Sequence, residues 1–561
     1  FENNVLDADH LASDDASDNE KRIYSEFQSR EEEIFSEIRG QMTSSSATAY
    51  QDLSEEMQVY ESFIVDDVLI EGTEVLDKDK IDTNDEMWTK WSNDGSVSLN
   101  EFLSYAISKN WIDITKVNSD TTYLDTSEIT GALADYVTDY LSNSDAFSRQ
   151  VYKYMIQNYQ ISGKDICLLL FDQGILKMNE EDYSALENGA VSAYDFIMAK
   201  IYSLEITPAM LALEPCTGSA VITDPDNGDV LACVTYPGYD NNRLTNSIDS
   251  DYYNKIYYDL SQPMWNYATQ QLSAPGSTFK MVSAATALEN NVVGLNETIT
   301  CKGTWDTLSP PARCWIAPNG SHGPLDISGA IEHSCNYFFY EVGYRLSRNN
   351  GVYDSDTGLE KLAYYADQFG LSDKSGVEIS ESAPKVSDFD AIRSAIGQGT
   401  NNYSTVGLAR YVTTVANSGS CYNLSLLSKA TDADGNLIAD YTPTLRNTVD
   451  LRQSTWDAIH QGMRKVVEDK DYYKDLTIQV AGKTGTAQEN RKRANHALFV
   501  CYAPYEQPQI AIATRIAFGY ASDYAAQVTK DIVKYYFKLE DESSLITGTA
   551  ESTNVVQSAG D

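Results

Sequence analysis

Three short motifs carry side chains that could work on one reaction. In Ser277-Thr278-Phe279-Lys280 a serine and a lysine stand at i and i+3. The Ala274-Pro275-Gly276 turn before them and the apolar periodicity after them predict that Ser277 lies in the first turn of a helix reaching Leu288. On such a helix the two side chains share a face. A serine hydroxyl is a weak nucleophile until a neighbouring base takes its proton. A neutral amine can do so, and the helix N-terminus favours negative charge nearby. Alone the motif is weak, since a capping serine followed by a surface lysine reads the same way. The second motif, Ser334-Cys335-Asn336, stands 57 residues after Ser277 and precedes the apolar run Tyr337-Phe338-Phe339. A hydroxyl and an amide two residues apart in a tight turn can face one cleft, one relaying a proton and the other holding a peptide amide. The plain alternative is a helix start. The third, Lys483-Thr484-Gly485-Thr486, comes 149 residues after Ser334. It follows the strand-like residues Leu476-Thr477-Ile478-Gln479-Val480, so it reads as an edge strand. Such an edge offers a cation and hydroxyls to a carboxylate, and free backbone groups to an extended peptide. A glycine inside it marks close approach of another backbone or a ligand, against the plain alternative of an edge guarded by a lysine.

The elements that must position these motifs lie in the second half of the chain. Ser219-Ala220-Val221-Ile222 and Val230-Leu231-Ala232-Cys233-Val234 flank Asp224-Pro225-Asp226-Asn227-Gly228-Asp229, a strand–turn–strand signal. A similar pair recurs late, as residues 497–502 and 510–516. Strands therefore open and close this region and helices fill its middle, which predicts an α+β fold with an antiparallel sheet flanked by helices. Residues before about 204 read as mostly helical, with a pattern from Ile23 to Ile38 and apolar positions at Tyr136, Leu141, Phe147, Val151 and Ile156. Asn93-Asp94-Gly95 with Glu101 resembles a calcium loop, but Lys90 stands where the first carboxylate ligand belongs, so an ordinary turn before a helix is expected. No internal repeat is evident. The expected organisation is 1–204, 205–538, and an acidic, Ser/Thr-rich loose tail over 539–561.

The length of 561 residues suits two or three domains. With 83 acidic against 41 basic residues the net charge is -42, which excludes a general nucleic-acid binder and a cationic membrane-surface module. The eight cysteines are spread singly, without a C-x-x-C pair, and the five histidines have no H-E-x-x-H spacing. No metal-ligand pattern is read and no cofactor is implied. Cys301 and Cys314 could bridge a loop in oxidising surroundings, or remain two thiols. No apolar run is long enough to span a bilayer. Because the chain starts at Phe1, a processed product or a piece of a longer chain is expected.

Taken together the motifs point further than any one of them. S-x-x-K, S-x-N and K-T-G in this order resemble the penicillin-binding protein and serine β-lactamase superfamily. The wording around them, with Ile396-Gly397-Gln398-Gly399, Ala487-Gln488, Thr223-Asp224-Pro225, Gly228 and Tyr236-Pro237, looks like a class B penicillin-binding protein over about Pro215 to Lys538. His322-Gly323-Pro324-Leu325-Asp326-Ile327 leans towards the elongation-type branch.

The resemblance implies a peptidoglycan D,D-transpeptidase fold and activity, inhibited by β-lactams. Ser277 would attack the penultimate D-alanine of a stem peptide and Lys280 would accept its proton. Ser334 would pass a proton to the leaving D-alanine, with Lys483 maintaining a positive field. Asn336 would hold the substrate amide, Thr484, Gly485 and Thr486 would line the carboxylate subsite, and the backbone N–H groups of Ser277 and Thr486 would form the oxyanion hole. It also implies a SEDS-type glycosyltransferase partner and a place on the outer face of the bacterial membrane, held by an anchor that this chain does not contain. Residues 1–204 look like an incomplete or divergent pedestal or dimerisation region, because the family's membrane helix and Arg-Gly motif are not visible. Thr400-Asn401-Asn402-Tyr403 departs from many relatives at the cleft rim.

A D,D-carboxypeptidase or a β-lactamase would use the same serine with water as acceptor. Between Ser334 and Lys483 there is no Glu-x-x-x-Asn segment of the class A β-lactamase type. A non-catalytic cell-wall scaffold is the third reading, and its expected mark, loss of Ser277, Lys280 or Lys483, is absent.

Overall fold

Apolar residues three and four positions apart build the N-terminal helices of this computed structural model, which describes residues 1, 5–117, 125–211, 216–307, 309–442, 444–489 and 493–549. The backbone divides into two units, Phe1–Ala212 and Leu213–Asp561. In the first, α1 (Asp18–Thr43) buries Ile23, Phe27, Ile34, Ile38 and Met42, and Ser17 with Glu20 closes its start in a reciprocal capping box. α2 (Glu55–Ser62) runs on into a π-helical stretch, Phe63–Gly72. α3 (Leu99–Ser108), α4 (Thr126–Ser142), α5 (Asp145–Gln157), α6 (Gly163–Asp172), α7 (Glu180–Glu187) and α8 (Ala193–Tyr202) follow, and their apolar sides share one core with α1. The calcium-like residues form a π-helical turn, Lys90–Asp94, closed by Gly95 and followed by the Ser98 cap of α3. This is the expected turn before a helix.

The backbone also carries a repeat that the sequence reading does not find. Tyr159, Gly174, Gly189 and Leu204 all have positive φ, and each stands 15 residues after the last (174 − 159, 189 − 174, 204 − 189). Each ends a helix with a left-handed residue. Two positions on, the N–H groups of Ile161, Leu176, Val191 and Ile206 reach back to carbonyls of the helix just ended. Only two of the four stops are glycine, so the period is carried by backbone conformation more than by residue identity.

One side chain in this unit works against folding. Glu61 is fully buried, and both its carboxylate oxygens lack a partner among the described residues. Burial pushes its carboxyl up to about 8. The folded state therefore keeps a proton that the unfolded chain releases above the ordinary carboxylate range, and stability falls as pH rises from about 4.5 to about 8. Glu61→Gln is expected to flatten this dependence and raise the melting temperature at pH 8, with no gain at pH 4. A pH series of thermal melts on both proteins checks it, and equal slopes would refute it.

In the second unit β1 (Gly218–Thr223), β2 (Val230–Tyr236), β3 (Ala481–Ala487), β4 (His496–Ala503) and β5 (Ile510–Ile516) form one sheet in the order β3-β4-β5-β1-β2. All neighbours are antiparallel. Residues alternate between its faces. Leu498, Val500, Tyr502, Ala511 and Ala513 join the larger core, while Phe499, Cys501, Ile510 and Ile512 pack with α13 (Ser522–Tyr536), named in order with the helices given next. On the larger-core face lie α9 (Lys280–Glu289), α10 (Asn336–Leu346), α11 (Thr405–Ala416) and α12 (Gln453–Glu468). Every residue of α11, and all of α9 except its last, is buried; most of their side chains are small or apolar, with Arg410 and Lys280 the buried cations.

The expected α+β fold with its antiparallel sheet is thus present, with one local correction. Residues 476–480 are not a strand; β3 begins at Ala481. Beyond 538 the described chain includes a short helix, Glu542–Leu545, and residues 550–561 of the expected tail lie outside the described residues.

Candidate active site

The serine turn is wedged between the catalytic-looking strand and a glycine loop. Gly276–Phe279 form a 3₁₀ turn that leads directly into α9, so Ser277 sits in the turn and Lys280 opens the α-helix. Thr278 Oγ1 donates to Pro275 O at 2.7 Å, and Tyr411 Oη from α11 donates to Thr278 O at 3.0 Å, which pins the turn from two sides. Gly276 has φ 51, and a Cβ there would stand 2.4 Å from Thr486 O and 3.2 Å from Thr486 N. Ser277 therefore lies against the backbone of β3 at Thr486. Gly397 closes the other side: its carbonyl oxygen accepts from the Gly276 N–H at 3.1 Å, and a Cβ on it would fall 1.9 Å from Gly276 O. At both positions only glycine supplies the conformation and the clearance.

Lysine joins the first two motifs. Lys280 Nζ donates to Ser334 Oγ at 3.0 Å, to Ser334 O at 2.8 Å and to Asn336 Oδ1 at 2.7 Å. Lys280 is fully buried and Ser277 nearly so. Ser334 has φ 48, a left-handed conformation that a serine rarely adopts, and it is the corner immediately before Cys335 caps α10. Three polar contacts from one lysine nitrogen hold that corner. With its oxygen engaged by Lys280, Asn336 keeps its amide NH₂ to offer.

The third motif lies on the sheet edge. Lys483 and Gly485 lie on the same face of the strand as Ala481 and Ala487, which belong to the core on the α9 side. A Cβ on Gly485 would stand 2.7 Å from Thr278 Cγ2 and 2.8 Å from Pro275 O, so the strand packs directly on the serine turn. Lys483 is fully buried, and its Nζ donates to Thr484 O at 3.0 Å and Thr484 Oγ1 at 3.2 Å. Gln398 Nε2 donates to Thr486 O at 3.5 Å across the junction. The eight residues singled out in the sequence thus come from the serine turn, the corner before α10 and one edge strand, around one place. The arrangement offers hydroxyls, two lysine nitrogens, and backbone N–H groups next to an edge able to take an extended chain.

A second cluster adjoins it that the sequence reading missed. Cys301, Cys314, His322 and Cys335 each offer one ligand atom, all within 4.8 Å of one another. Cys301 ends the strand Ile299–Cys301, which pairs with Gly323–Leu325 so that Cys301 faces Gly323, next to His322. Cys314 Sγ is 3.7 Å from His322 Nδ1, and His322 Nε2 is buried without a partner among the described residues. A hydrogen bond from the Cys335 thiol is the main cause that draws the Cys301 and Cys314 thiols below the ordinary range; burial opposes it and His322 adds to it. Three thiols and one imidazole suit a closed, tetrahedral zinc site. Such a site spans ligand edges of roughly 3.8 Å; Cys314 and His322 already meet this, and no pair needs to close by more than about 1 Å. All eight cysteines are free thiols here. The signal was hidden because the ligands are spaced 13, 8 and 13 apart (314 − 301, 322 − 314, 335 − 322) instead of in a short pair.

Residues 218–534 match the family model described as penicillin binding protein transpeptidase domain. Over 357 residues the chain is 30% identical to the peptidoglycan D,D-transpeptidase MrdA of Haemophilus influenzae, covering 57% of this chain and 52% of that protein. It is 28% identical to the peptidoglycan D,D-transpeptidase PbpA of Mycolicibacterium smegmatis, over 54% of this chain and 62% of that one. The chain spans about half the length of the curated relatives it matches. Among solved structures, PBP2 of Pseudomonas aeruginosa in complex with WCK 5153 aligns at a TM-score of 0.50 with 26% identity, over 61% of this chain and 74% of that one.

Proposed function

Because the chain belongs to the penicillin-binding protein transpeptidase family, we propose that it is a peptidoglycan D,D-transpeptidase working through an acyl-serine. The observation that carries this reading is Lys280 Nζ, bonded to both Ser334 and Asn336 from the helix that Ser277's turn opens. Lys280, as the neutral amine, takes the Ser277 proton as Oγ attacks the carbonyl of the penultimate D-alanine of a stem peptide. The N–H groups of Ser277 and Thr486 receive the developing oxyanion, where one such donor is worth about 3 kcal/mol. Ser334 relays a proton to the departing D-alanine as the peptide bond breaks, within the positive field of Lys483. Asn336 holds the substrate amide, and Thr484 and Thr486, either side of Gly485, bind the terminal carboxylate. The amine of a second stem peptide then displaces Ser277, forming the cross-link and returning the proton.

β-Lactams acylate the same serine. The partner in this reading is a SEDS-type glycosyltransferase, and the place of work is the outer face of the bacterial membrane. Among the described residues no helix is long and apolar enough to cross a membrane.

The test supplies a D-alanyl-D-alanine stem peptide with an acceptor amine and weighs the products. Cross-linked dimer supports the reading. Release of D-alanine without dimer points to a carboxypeptidase, rapid turnover of benzylpenicillin to a β-lactamase, and no reaction on folded protein to a scaffold.

The serine turn makes one prediction of its own. Gly397→Ala adds a methyl group against Gly276 O at a position with φ 79, so the turn must move. Acylation by a fluorescent penicillin is expected to slow about 10-fold or more while the protein still folds; an unchanged rate would refute the wedge.

We also infer that Cys301, Cys314, His322 and Cys335 hold one structural zinc ion. With four protein ligands the metal has no open position, so it takes no part in the chemistry. It would fix Cys335, which lies between Ser334 and Asn336.

A further inference from the structure

Every residue of α8 except Asp195 and Lys200 is apolar, yet the two residues it buries are Phe196 and Lys200. A helix that is apolar all round is normally enclosed on all sides. The core side of α8 is a single stripe. Ala193, Phe196 and Ile197, at i, i+3 and i+4, pack with the core of the first unit, and Phe196 meets the Phe171 ring of α6 at 5.5 Å. Lys200 takes the i+7 place, where its Nζ bonds Asp182 Oδ2 at 2.8 Å and Glu205 Oε2 at 2.7 Å. The helix thus turns its one cation inward.

A second apolar stripe points elsewhere. Tyr194, Met198 and Ile201 stand at i, i+4 and i+7, one residue on from the first stripe and so turned about 100° from it. Tyr194 is 73% exposed and Ile201 38%, while Tyr202 and Leu204, just after it, are 42% and 52% exposed. This is the spacing with which one helix meets another.

The 15-residue repeat accounts for the opening. α6 supports both helices that follow it, since Phe171 also meets Tyr183 of α7 at 6.0 Å. After the Leu204 stop a further helix is begun. The N–H of Ile206 reaches back to Lys200 O, and Thr207 stands three residues after its stop, as Ser162 and Ser192 do after theirs. Pro208 follows in the place suited to a first helical residue. Among the described residues this helix makes one turn, Ala209–Leu211, whose Met210 and Leu211 pack on the core, and by Gly218 the chain is in β1. Stacked repeats need a polar outer face on the last one. α8 presents an apolar one.

Charge decides the occupant. Residues 159–211 hold eight acids and three lysines, a net charge of -5 (3 − 8), and Asp195 beside Tyr194 is exposed. A second copy brings like charge to like, in a chain already at -42, and so does an anionic lipid surface. A basic partner is attracted instead.

We propose that the Tyr194–Met198–Ile201 face docks an amphipathic helix of a partner protein, its apolar side on this stripe and lysines or arginines along its flanks, in the place of the missing repeat. The face lies outside residues 218–534 that match the family, and the proposal does not depend on the transpeptidase reading.

The test uses the full chain and a fluorescent peptide of about 18 residues, five helical turns, with leucine at i, i+3, i+4 and i+7 and lysine elsewhere. Two further peptides carry the same residues in scrambled order, or glutamate in place of lysine. Anisotropy titrations at about 0.15 M salt are expected to show the first peptide binding about 10-fold or more tightly than either of the others. Tyr194→Ser with Ile201→Ser is expected to erase the preference over the scrambled peptide. Both side chains are exposed, so this variant should melt within a few degrees of wild type. Val352→Ser, which removes an exposed apolar side chain of the second unit, should leave the preference intact. Equal affinities for ordered and scrambled peptides, or a preference that survives the double variant, would overturn the docking face. So would a dimer in sedimentation, or binding to phosphatidylglycerol vesicles, that the double variant abolishes. Slow maleimide labelling of Ile201→Cys in the native chain, read at that residue by mass, would show the face covered by the chain itself and equally end the proposal.

Discussion

A Ser277→Ala chain is expected to give no covalent adduct after incubation with benzylpenicillin, where the wild type gains the mass of one penicillin per chain. Nothing leaves when the β-lactam ring opens, so the whole drug mass is added. The effect is large because no second group can replace the nucleophile: removing one from a serine enzyme costs on the order of 10⁴-fold or more in rate. The substitution is also small. Ser277 is nearly buried in a turn held by Tyr411, Thr278 and the two glycine contacts, none of which uses Oγ. Folding should survive, and a thermal melt within a few degrees of wild type is the control. Lys280→Met should also lose about 10³-fold or more, since it removes a general base and releases both Ser334 and Asn336. An adduct that persists in Ser277→Ala, localised to another residue, would end the proposed mechanism.

The second large effect concerns the thiol cluster. Purified protein is expected to contain one zinc per chain, and Cys314→Ser to lose it. Structural zinc in small domains binds with an apparent 10–16 kcal/mol, comparable with the whole stability of a domain, about 5–15 kcal/mol. Cys314→Ser should therefore lower the melting temperature of the second unit by 10 °C or more, and a strong chelator should do the same to wild type. Cobalt substitution supplies a readout independent of stability, because thiolate–cobalt charge-transfer bands appear only if sulfur ligates. Acylation should fall with metal loss, since Cys335 connects the Ser334 corner to α10. Protein free of metal as isolated, with a melting temperature indifferent to zinc and chelator, would sink the site.

How far the sequence could be read depended on where each signal was stored. The sheet was legible because β1, β2, β4 and β5 are alternating or continuous apolar runs around turn residues. The strand carrying Lys483 was misplaced by a few residues at its start, because 476–480 has strand-like composition but turns before β3 begins. Ser277, Lys280, Ser334 and Lys483 stood out through motif spacing. That Lys280 bonds both Ser334 and Asn336 could not be read, since it depends on how α9 meets α10. The zinc-type ligands were each visible, and their meeting was not: four single residues on separate elements leave no local pattern. The second stripe of α8 gave no signal, because a helix apolar on every side reads as buried until its exposure is known. The 15-residue period of the first unit escaped because Tyr159 and Leu204 share with Gly174 and Gly189 a backbone angle and little else.

The strand order has a consequence for how such a chain comes to life. β1 pairs with β5, matching Gly218 to Ile516, 298 residues apart (516 − 218). β1 can pair early with β2 and β5 with β4, but β1 and β5 meet only after the residues between them have been made, and contacts so distant in sequence close slowly. The edge strand that faces the serine turn hangs from this late-forming sheet. Ser277 is translated long before Thr486, so for most of its synthesis the nucleophile has no cleft around it. On the transpeptidase reading, a product that ends before Thr486 lacks the strand that completes the cleft.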